Sequence, residues 1–250
     1  MIICTLASGS SGNCLLVATE KTRILIDAGI NLKQIILRLD TLDLKMSDID
    51  AVIITHEHTD HAVALPFIEK PVYVASAIVT IWKDKVKDLR EFETGSSFPL
   101  NDLLISSFPV PHDALDPVGF TVETDHKKLG IVTDIGSVTS LVKERLKGSD
   151  LLLLEFNHDE RMLLYSSYPW DLKQRIKSRL GHLSNTEAAG LLKNLIHDGL
   201  SHVILAHLSE VNNRPNIALE AASSALSGNG AVDVMLSVAP RKTRGEVIKI

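Results

Sequence analysis

The sequence predicts an α/β fold: two mixed β-sheets covered by helices, an αββα sandwich with functional residues at strand ends along one edge. Three observations predict it. Short β-branched apolar runs alternate with helix-period segments in both halves of the chain. Several of those runs end directly in His- and Asp-bearing stretches. The 250 residues are 45% hydrophobic, and no Gly/Ser/Pro-rich linker divides them, so a single domain over residues 1–250 is expected.

Taken in order, Ile2 to Leu6 and Cys14 to Ala18 read as strands joined by Ser8-Gly9-Ser10-Ser11-Gly12-Asn13. That loop is either an ordinary hairpin turn or a cradle that brings backbone N–H groups to an anion. Arg23 to Ile26 reads as a third strand turning at Asp27-Ala28-Gly29, where Asp27 is placed to orient a metal-bound histidine. Leu32, Ile35, Ile36 and Leu39 recur at helical spacing and define a core-facing stripe. A buried strand ending at Ile54 then opens into Thr55-His56-Glu57-His58-Thr59-Asp60-His61, three imidazoles and two carboxylates in seven residues. If the backbone stays extended, His56 and His58 point the same way and grip one ion. A helix from near Asp60 through Leu65 would present Asp60 and His61 to a second.

Further on, Val72 to Val74 is a short strand and residues 75–85 a helix in which Trp82 packs. Residues 103–110 form a strand that delivers His112. Gly119 to Glu123 and Lys128 to Thr133 form a hairpin, and the second strand ends at Asp134-Ile135-Gly136. On pattern alone, Asp134 either caps a helix starting near Ser137 or serves a site. Asp150 to Glu155 reads as a buried parallel strand leading to Phe156-Asn157-His158-Asp159. The helix over 170–180 carries Lys173, Arg175, Lys177 and Arg179, which form either a solvated face or phosphate contacts. Ser184 and Glu187 make a capping box for a helix to about Ile196, with His182 just before it. Ser201 to Ala206 is a strand ending at His207, a helix from Asn212 runs to about Leu226, and Val232 to Val238 closes the strand set.

A net charge of −5 argues against a protein that coats DNA nonspecifically, although divalent ions in a cleft supply positive charge that a residue count misses. No apolar stretch reaches membrane-spanning length, and no basic segment precedes the first strand as in a secretory signal. Cys4 and Cys14 sit in apolar runs and read as packed thiols of a cytoplasmic protein.

His56-Glu57-His58-Thr59-Asp60-His61 matches the HxHxDH motif of the metallo-β-lactamase fold superfamily. Five further stretches resemble its YycJ (WalJ) branch, which is associated with phosphodiester cleavage in nucleic acid. They are Ala7 to Asn13, Val110 to Ala114, Asp116 to Phe120, Tyr168-Pro169-Trp170 and Gly181 to Asn185. The resemblance implies an αββα sandwich of metallo-β-lactamase type holding two divalent ions. His56, His58 and His112 would hold the first, Asp60, His61 and His207 the second, and Asp134 would bridge them. Imidazole-rich ligation suits Zn²⁺, with Mn²⁺ and Fe²⁺ as alternatives. A water shared by the ions would lose its proton near neutral pH and attack as hydroxide.

Asp60 and Asp134 therefore count as catalytic. His182 is the first candidate proton donor to the leaving oxygen and His158 the second. Expected substrate contacts are Ser10, Asn13, Asn157, Ser184 and Asn185. The implied activity is phosphodiester hydrolysis, as a DNA exonuclease with nucleic acid as its partner. A thioester or lactone hydrolase using the same hydroxide is the alternative, and a noncatalytic metal-binding module stands behind both. Two positions depart from the branch pattern, Phe156 where it has Ser and Ala206 where it has Gly.

Overall fold

The computed structural model describes residues 1–228, 230–231 and 233–250. In chain order the strands are β1 Ile2–Ala7, β2 Cys14–Ala18, β3 Arg23–Ile26, β4 Ala51–Ile53, β5 Val72–Ala75, β6 Leu89–Phe92, β7 Ser97–Leu100, β8 Leu103–Pro109, β9 Val118–Glu123, β10 Lys128–Val132, β11 Leu151–Glu155, β12 His202–Ala206, β13 Met235–Val238 and β14 Ile248–Lys249. The helices are α1 Leu32–Asp40, α2 Thr59–Ala62, α3 Val79–Trp82, α4 Ser140–Leu146, α5 Glu160–Tyr165, α6 Trp170–Lys177, α7 Asn185–Leu195 and α8 Pro215–Ser227. Val232, placed in the closing strand region by the sequence, lies outside the described residues.

Two mixed sheets of seven strands result, ordered β14-β1-β2-β3-β4-β5-β6 and β13-β12-β11-β10-β9-β8-β7. By contact density the chain forms two compact units. The first comprises Met1–Ser107, Ala114–Val118 and Ala239–Ile250, and the second Phe108–Asp113 and Gly119–Val238.

In the first unit, tight connections make β1, β2 and β3 antiparallel neighbours, while β3 to β6 run parallel. A parallel step needs a longer crossover, and α1 supplies the one between β3 and β4. Ile35 and Leu39 of α1 are buried, but Ile36 is 37% exposed. The stripe expected over Leu32, Ile35, Ile36 and Leu39 is therefore narrower, since only the i, i+4 row of Ile35 and Leu39 in this nine-residue helix is buried. The helix expected from Asp60 to Leu65 stops at Ala62: the Ala64 N–H leaves the helical ladder for the Ala28 carbonyl at 3.0 Å.

In the second unit, β10 of the β9–β10 hairpin begins a run of four parallel strands, β10, β11, β12 and β13. The chain passes through α4, then α5 to α7, then α8 between them. Leu151 to Leu154 are all buried, as a strand covered on both faces requires. Phe108, Leu152, Leu154, Leu191, Leu192 and Leu205 anchor this core. The helix expected near Ser137 begins at Ser140, capped by Thr139. The intervening chain is tied elsewhere, since Gly136 N–H donates to the Pro111 carbonyl and Ser137 Oγ to that of Arg179. Asp134 is thus not a helix cap.

Parallel strands with crossover connections collect their carboxyl ends on one side, where ligands bind in open α/β sheets. Asp27 and Thr55-His56 follow β3 and β4 in the first unit. Asp134, Glu155 and His207 stand at the ends of β10, β11 and β12 in the second.

Candidate metal centre

In the first unit, the chain leaving β4 packs three imidazoles together. His56 and His61 are buried, His58 is partly exposed, and the His56 ring centroid lies 4.6 Å from that of His58 and 4.1 Å from that of His61. Asp27 organises them. Its Oδ2 is 2.7 Å from His61 Nδ1, and its Oδ1 accepts the Thr55 N–H at 2.9 Å. Thr55 Oγ1 reaches Asp27 Oδ1 and His56 Nδ1, both at 3.0 Å. A carboxylate that takes the Nδ1 proton of His61 leaves the ring lone pair on Nε2, the tautomer a metal needs. Asp60 Oδ2 stands 3.8 Å from that Nε2.

The Ser8 to Asn13 loop closes the β1–β2 hairpin, and its Gly9, Gly12 and Asn13 N–H groups bond within the protein, so that Asn13 stands against this cluster. Asn13 N–H donates to the Asp60 carbonyl at 2.8 Å, Asn13 Oδ1 accepts the Gly9 N–H, and Asn13 Nδ2 lies 3.0 Å from His61 Nε2. Gly29 is required here, because a Cβ would collide with the Asp60 carbonyl. Ser10 is exposed at the loop tip.

In the second unit, Asp134, Glu155, His182 and His207 each offer a ligand atom within 4.8 Å of the others. Asp134 Oδ1 is 3.5 Å from His207 Nε2, 3.7 Å from His182 Nδ1 and 3.9 Å from His112 Nε2. His112 Nδ1 faces the Gly181 carbonyl at 3.2 Å, which orients its ring. Glu155 is fully buried. Its Oε1 is 2.9 Å from both His182 Nδ1 and His207 Nδ1, and its Oε2 accepts the N–H groups of Ile135 and Leu183. One carboxylate therefore fixes two imidazoles and two loop backbones.

By its pattern Glu155 is only the last residue of a strand, and this role does not show in that pattern. The available signal was the acid itself, because a carboxylate closing an all-leucine buried run must be paired to be tolerated.

The electrostatics follow from that pairing. Burial opposes ionisation of Glu155, but the two imidazoles outweigh it and hold the carboxyl below its usual range. Burial also pulls His182 down, yet Glu155 and Asp134 more than reverse it, and His182 rises above the ordinary imidazole value. Burial lowers His112. His158 is lowered to about 4, mainly by burial, and among the described residues its Nδ1 has no hydrogen-bonding partner.

His158 therefore folds as a neutral ring, whereas the unfolded chain takes up a proton below about pH 6.5. Its stabilising contribution is complete above that pH and is lost as pH falls through about 4. The urea midpoint of chelator-treated protein is expected to drop between pH 6.5 and 4, with about 3 kcal/mol as the ceiling for this group. His158→Gln is expected to flatten that segment of the profile. An unchanged slope in the variant would refute the assignment.

The remaining expected contacts are built into the frame. Asn157 Nδ2 donates to the His207 carbonyl, Ser184 Oγ accepts the Glu187 N–H in the anticipated capping box, and Asn185 Nδ2 donates to Asn213 Oδ1. Three residues at these strand ends take left-handed backbone, Asp27 at φ 63, Asp134 at φ 53 and His207 at φ 55. Non-glycine residues adopt this region at a cost, and such strain collects at functional sites. Imidazoles and carboxylates at this density, with ring tautomers set by Asp27 and Glu155, fit divalent metal ions.

Among the described residues no helix is long and apolar enough to cross a membrane. Residues 22–208 match the model of the beta-lactamase superfamily domain. The chain is 33% identical over 234 residues to the exodeoxyribonuclease YycJ of Bacillus anthracis, covering 90% of this chain and 89% of that protein. It is 35% identical over 224 residues to the exodeoxyribonuclease WalJ of Streptococcus pneumoniae serotype 2, covering 85% and 83%. Among solved structures, the metallo-β-lactamase fold protein YhfI of Bacillus subtilis superposes with a TM-score of 0.76 over 98% of both chains at 15% identity, which bears out the expected fold class. The chain belongs to the metallo-β-lactamase superfamily, in the branch of the YycJ and WalJ proteins.

Proposed function

We propose that this protein is a dinuclear-metal-dependent phosphodiesterase acting on DNA as an exonuclease. The single observation that carries the hydrolytic reading is Glu155 gripping both His182 and His207 beside Asp134. The choice of DNA rests on the names of the relatives with which it shares about a third of its residues.

In this reading His56, His58 and His112 hold one ion, Asp60, His61 and His207 the other, and Asp134 serves both, so residues 1–250 work as one domain. Zn²⁺ suits the imidazole-rich set best, with Mn²⁺ and Fe²⁺ as the alternatives. When bound, such ions supply an activated water and neutralise phosphate charge.

The chain's own residues do the rest. Asp27 and Glu155 hold the rings of His61 and His207 in the ligating tautomer. His182, its side chain 21% exposed, is the proton donor to the leaving oxygen, because Glu155 keeps it protonated to higher pH. His158, neutral down to about pH 4, is the weaker candidate at neutral pH. Of the five expected substrate contacts, Ser10 is exposed to meet a strand directly, while Asn13, Asn157, Ser184 and Asn185 brace the framework of their own unit through the bonds given above. Buried free thiols at Cys4 and Cys14 suit a reducing compartment, and the cytoplasm is proposed.

The test is digestion of end-labelled DNA and RNA by protein loaded with Mn²⁺ or Zn²⁺. Stepwise shortening of DNA that vanishes in Asp134→Ala is expected. Intact DNA alongside cleavage of a thioester would overturn the nucleic-acid assignment and leave a metallohydrolase of carbonyl substrates.

A further inference from the structure

Asp113 and Arg175, both in the second unit, form an ion pair that the catalytic reading leaves without a task. Arg175 Nε donates to Asp113 Oδ2 at 2.6 Å, and the other oxygen of that carboxylate, Oδ1, stands 3.4 Å from His112 Nε2. The sequence offers Arg175 an easier partner. Asp171 lies one turn back on α6, at the i, i+4 spacing of an ordinary surface pair. Arg175 reaches instead for a carboxylate 62 residues away in the chain, beside a residue of the candidate metal centre.

The backbone fixes Arg175 from the other side. Gly181 packs so closely on the end of α6 that a Cβ there would come within 2.2 Å of the carbonyl oxygens of Arg175 and Ile176. The Ile176 carbonyl accepts the His182 N–H at 2.9 Å, and the Gly181 carbonyl faces His112 Nδ1 at 3.2 Å. The main chain of Arg175 is thus held against the turn into His182, and its side chain is held to the neighbour of His112.

Stability does not explain the arrangement. None of the eight residues of α6 is buried, and the Arg175 side chain is 62% exposed, a setting in which an ion pair contributes little. What the bond to Nε does is orient a plane. A guanidinium carries five N–H donors in one rigid fork, and Asp113 takes the one on Nε; among the described residues the Nη groups have no partner. Parallel donors of this kind match two oxygens of a phosphate. Bulk charge is a minor aid, because residues 170–180 set Asp171 against Lys173, Arg175, Lys177 and Arg179, and Lys173 is committed to the carbonyls of Leu164 and Ser166. The fixed fork is the selective feature.

We propose that Arg175 clamps a backbone phosphate of the substrate through its Nη groups, at the phosphodiester next to the one that is cleaved. The Asp113 carboxylate stands between the guanidinium and His112, which sets the fork one linkage away from the bond under attack. A contact to the sugar–phosphate backbone positions the strand and reads no base. The proposal rests on the nucleic-acid reading and deepens it by assigning a substrate contact beyond the reacting phosphate.

The test compares kcat/KM for a DNA oligonucleotide with that for bis-p-nitrophenyl phosphate, a diester with no neighbouring linkage. In Arg175→Gln the advantage of the oligonucleotide is expected to shrink about ten- to a hundredfold, chiefly through KM. Arg175→Lys should recover only a small part of it, because an ammonium keeps the charge and loses the fork. An oligonucleotide with a neutral methylphosphonate next to the scissile linkage supplies the second measurement. It should cost the wild-type protein the same factor and Arg175→Gln nothing further, as when two changes remove one contact. If the advantage is unchanged in Arg175→Gln, or if the two losses simply multiply, the guanidinium does not meet that phosphate and the clamp is overturned. Equal loss on both substrates would likewise overturn it, and weaker Mn²⁺ binding in a chelator competition would then make Arg175 a support for His112 through Asp113. The nuclease reading survives each of those results. Wild-type protein that leaves the oligonucleotide intact, whether or not it cleaves the small diester, sinks the nuclease reading and the clamp with it.

Discussion

Glu155→Gln is expected to lower kcat by about 10²- to 10⁴-fold, the span a positioned proton donor contributes. The substitution preserves side-chain shape and removes one charge. In the native protein the carboxylate receives four donors, the Nδ1 protons of His182 and His207 and the N–H groups of Ile135 and Leu183. A glutamine offers one oxygen to that set and turns an amide NH₂ toward the other half, so at least one buried donor loses its partner. A loss of about 1–3 kcal/mol in unfolding free energy follows.

The pH profile separates the chemical role from the structural one. Glu155 raises the His182 pKa against the lowering effect of burial, and a donor acts only while protonated. Removing the negative charge must lower that pKa whatever cations sit nearby, so the alkaline limb of kcat/KM is expected to move to lower pH in Glu155→Gln. A variant that is merely unstable would lose amplitude at every pH and keep its limb in place. Should the limb stay fixed while activity falls, His182 is not the donor.

These residues also mark where the sequence stopped being legible. Thr55 to His61 announces itself because seven neighbours carry the chemistry, and the Ser184–Glu187 capping box is equally local. The partners of Glu155 lie 27 and 52 residues away, and no local pattern brings them together. The left-handed backbone at Asp27, Asp134 and His207 is likewise invisible, since none of the three is glycine and each conformation is imposed by its strand-end surroundings. Helix ends are hidden for the same reason: periodicity carries α2 on to Leu65, but a hydrogen bond to Ala28, far back in the sequence, ends it at Ala62. Pattern reported what each element is made of, and long-range polar bonds decided where it stops and what it holds.

Metal loading is expected to raise the thermal midpoint by about 10 °C. A ligand that binds only the folded chain stabilises it by about 4 kcal/mol at a thousand times its dissociation constant. Each kcal/mol is worth roughly 2–4 °C in a chain of this size. The two units favour such a gain because each buries carboxylates among imidazoles: Asp27 beside His61, and Asp134 with Glu155 among His112, His182 and His207. Asp134→Asn tests the origin of the effect. Asparagine tolerates the left-handed conformation at φ 53, so the substitution adds no backbone strain, and it removes a buried charge from the metal-free protein. The chelated variant is therefore expected to melt no lower than chelated wild type, while its rise on adding Zn²⁺ or Mn²⁺ largely disappears. The opposite pattern, a variant that melts low without metal yet keeps the full metal-dependent rise, would make Asp134 a framework residue and move the bridging role to another carboxylate.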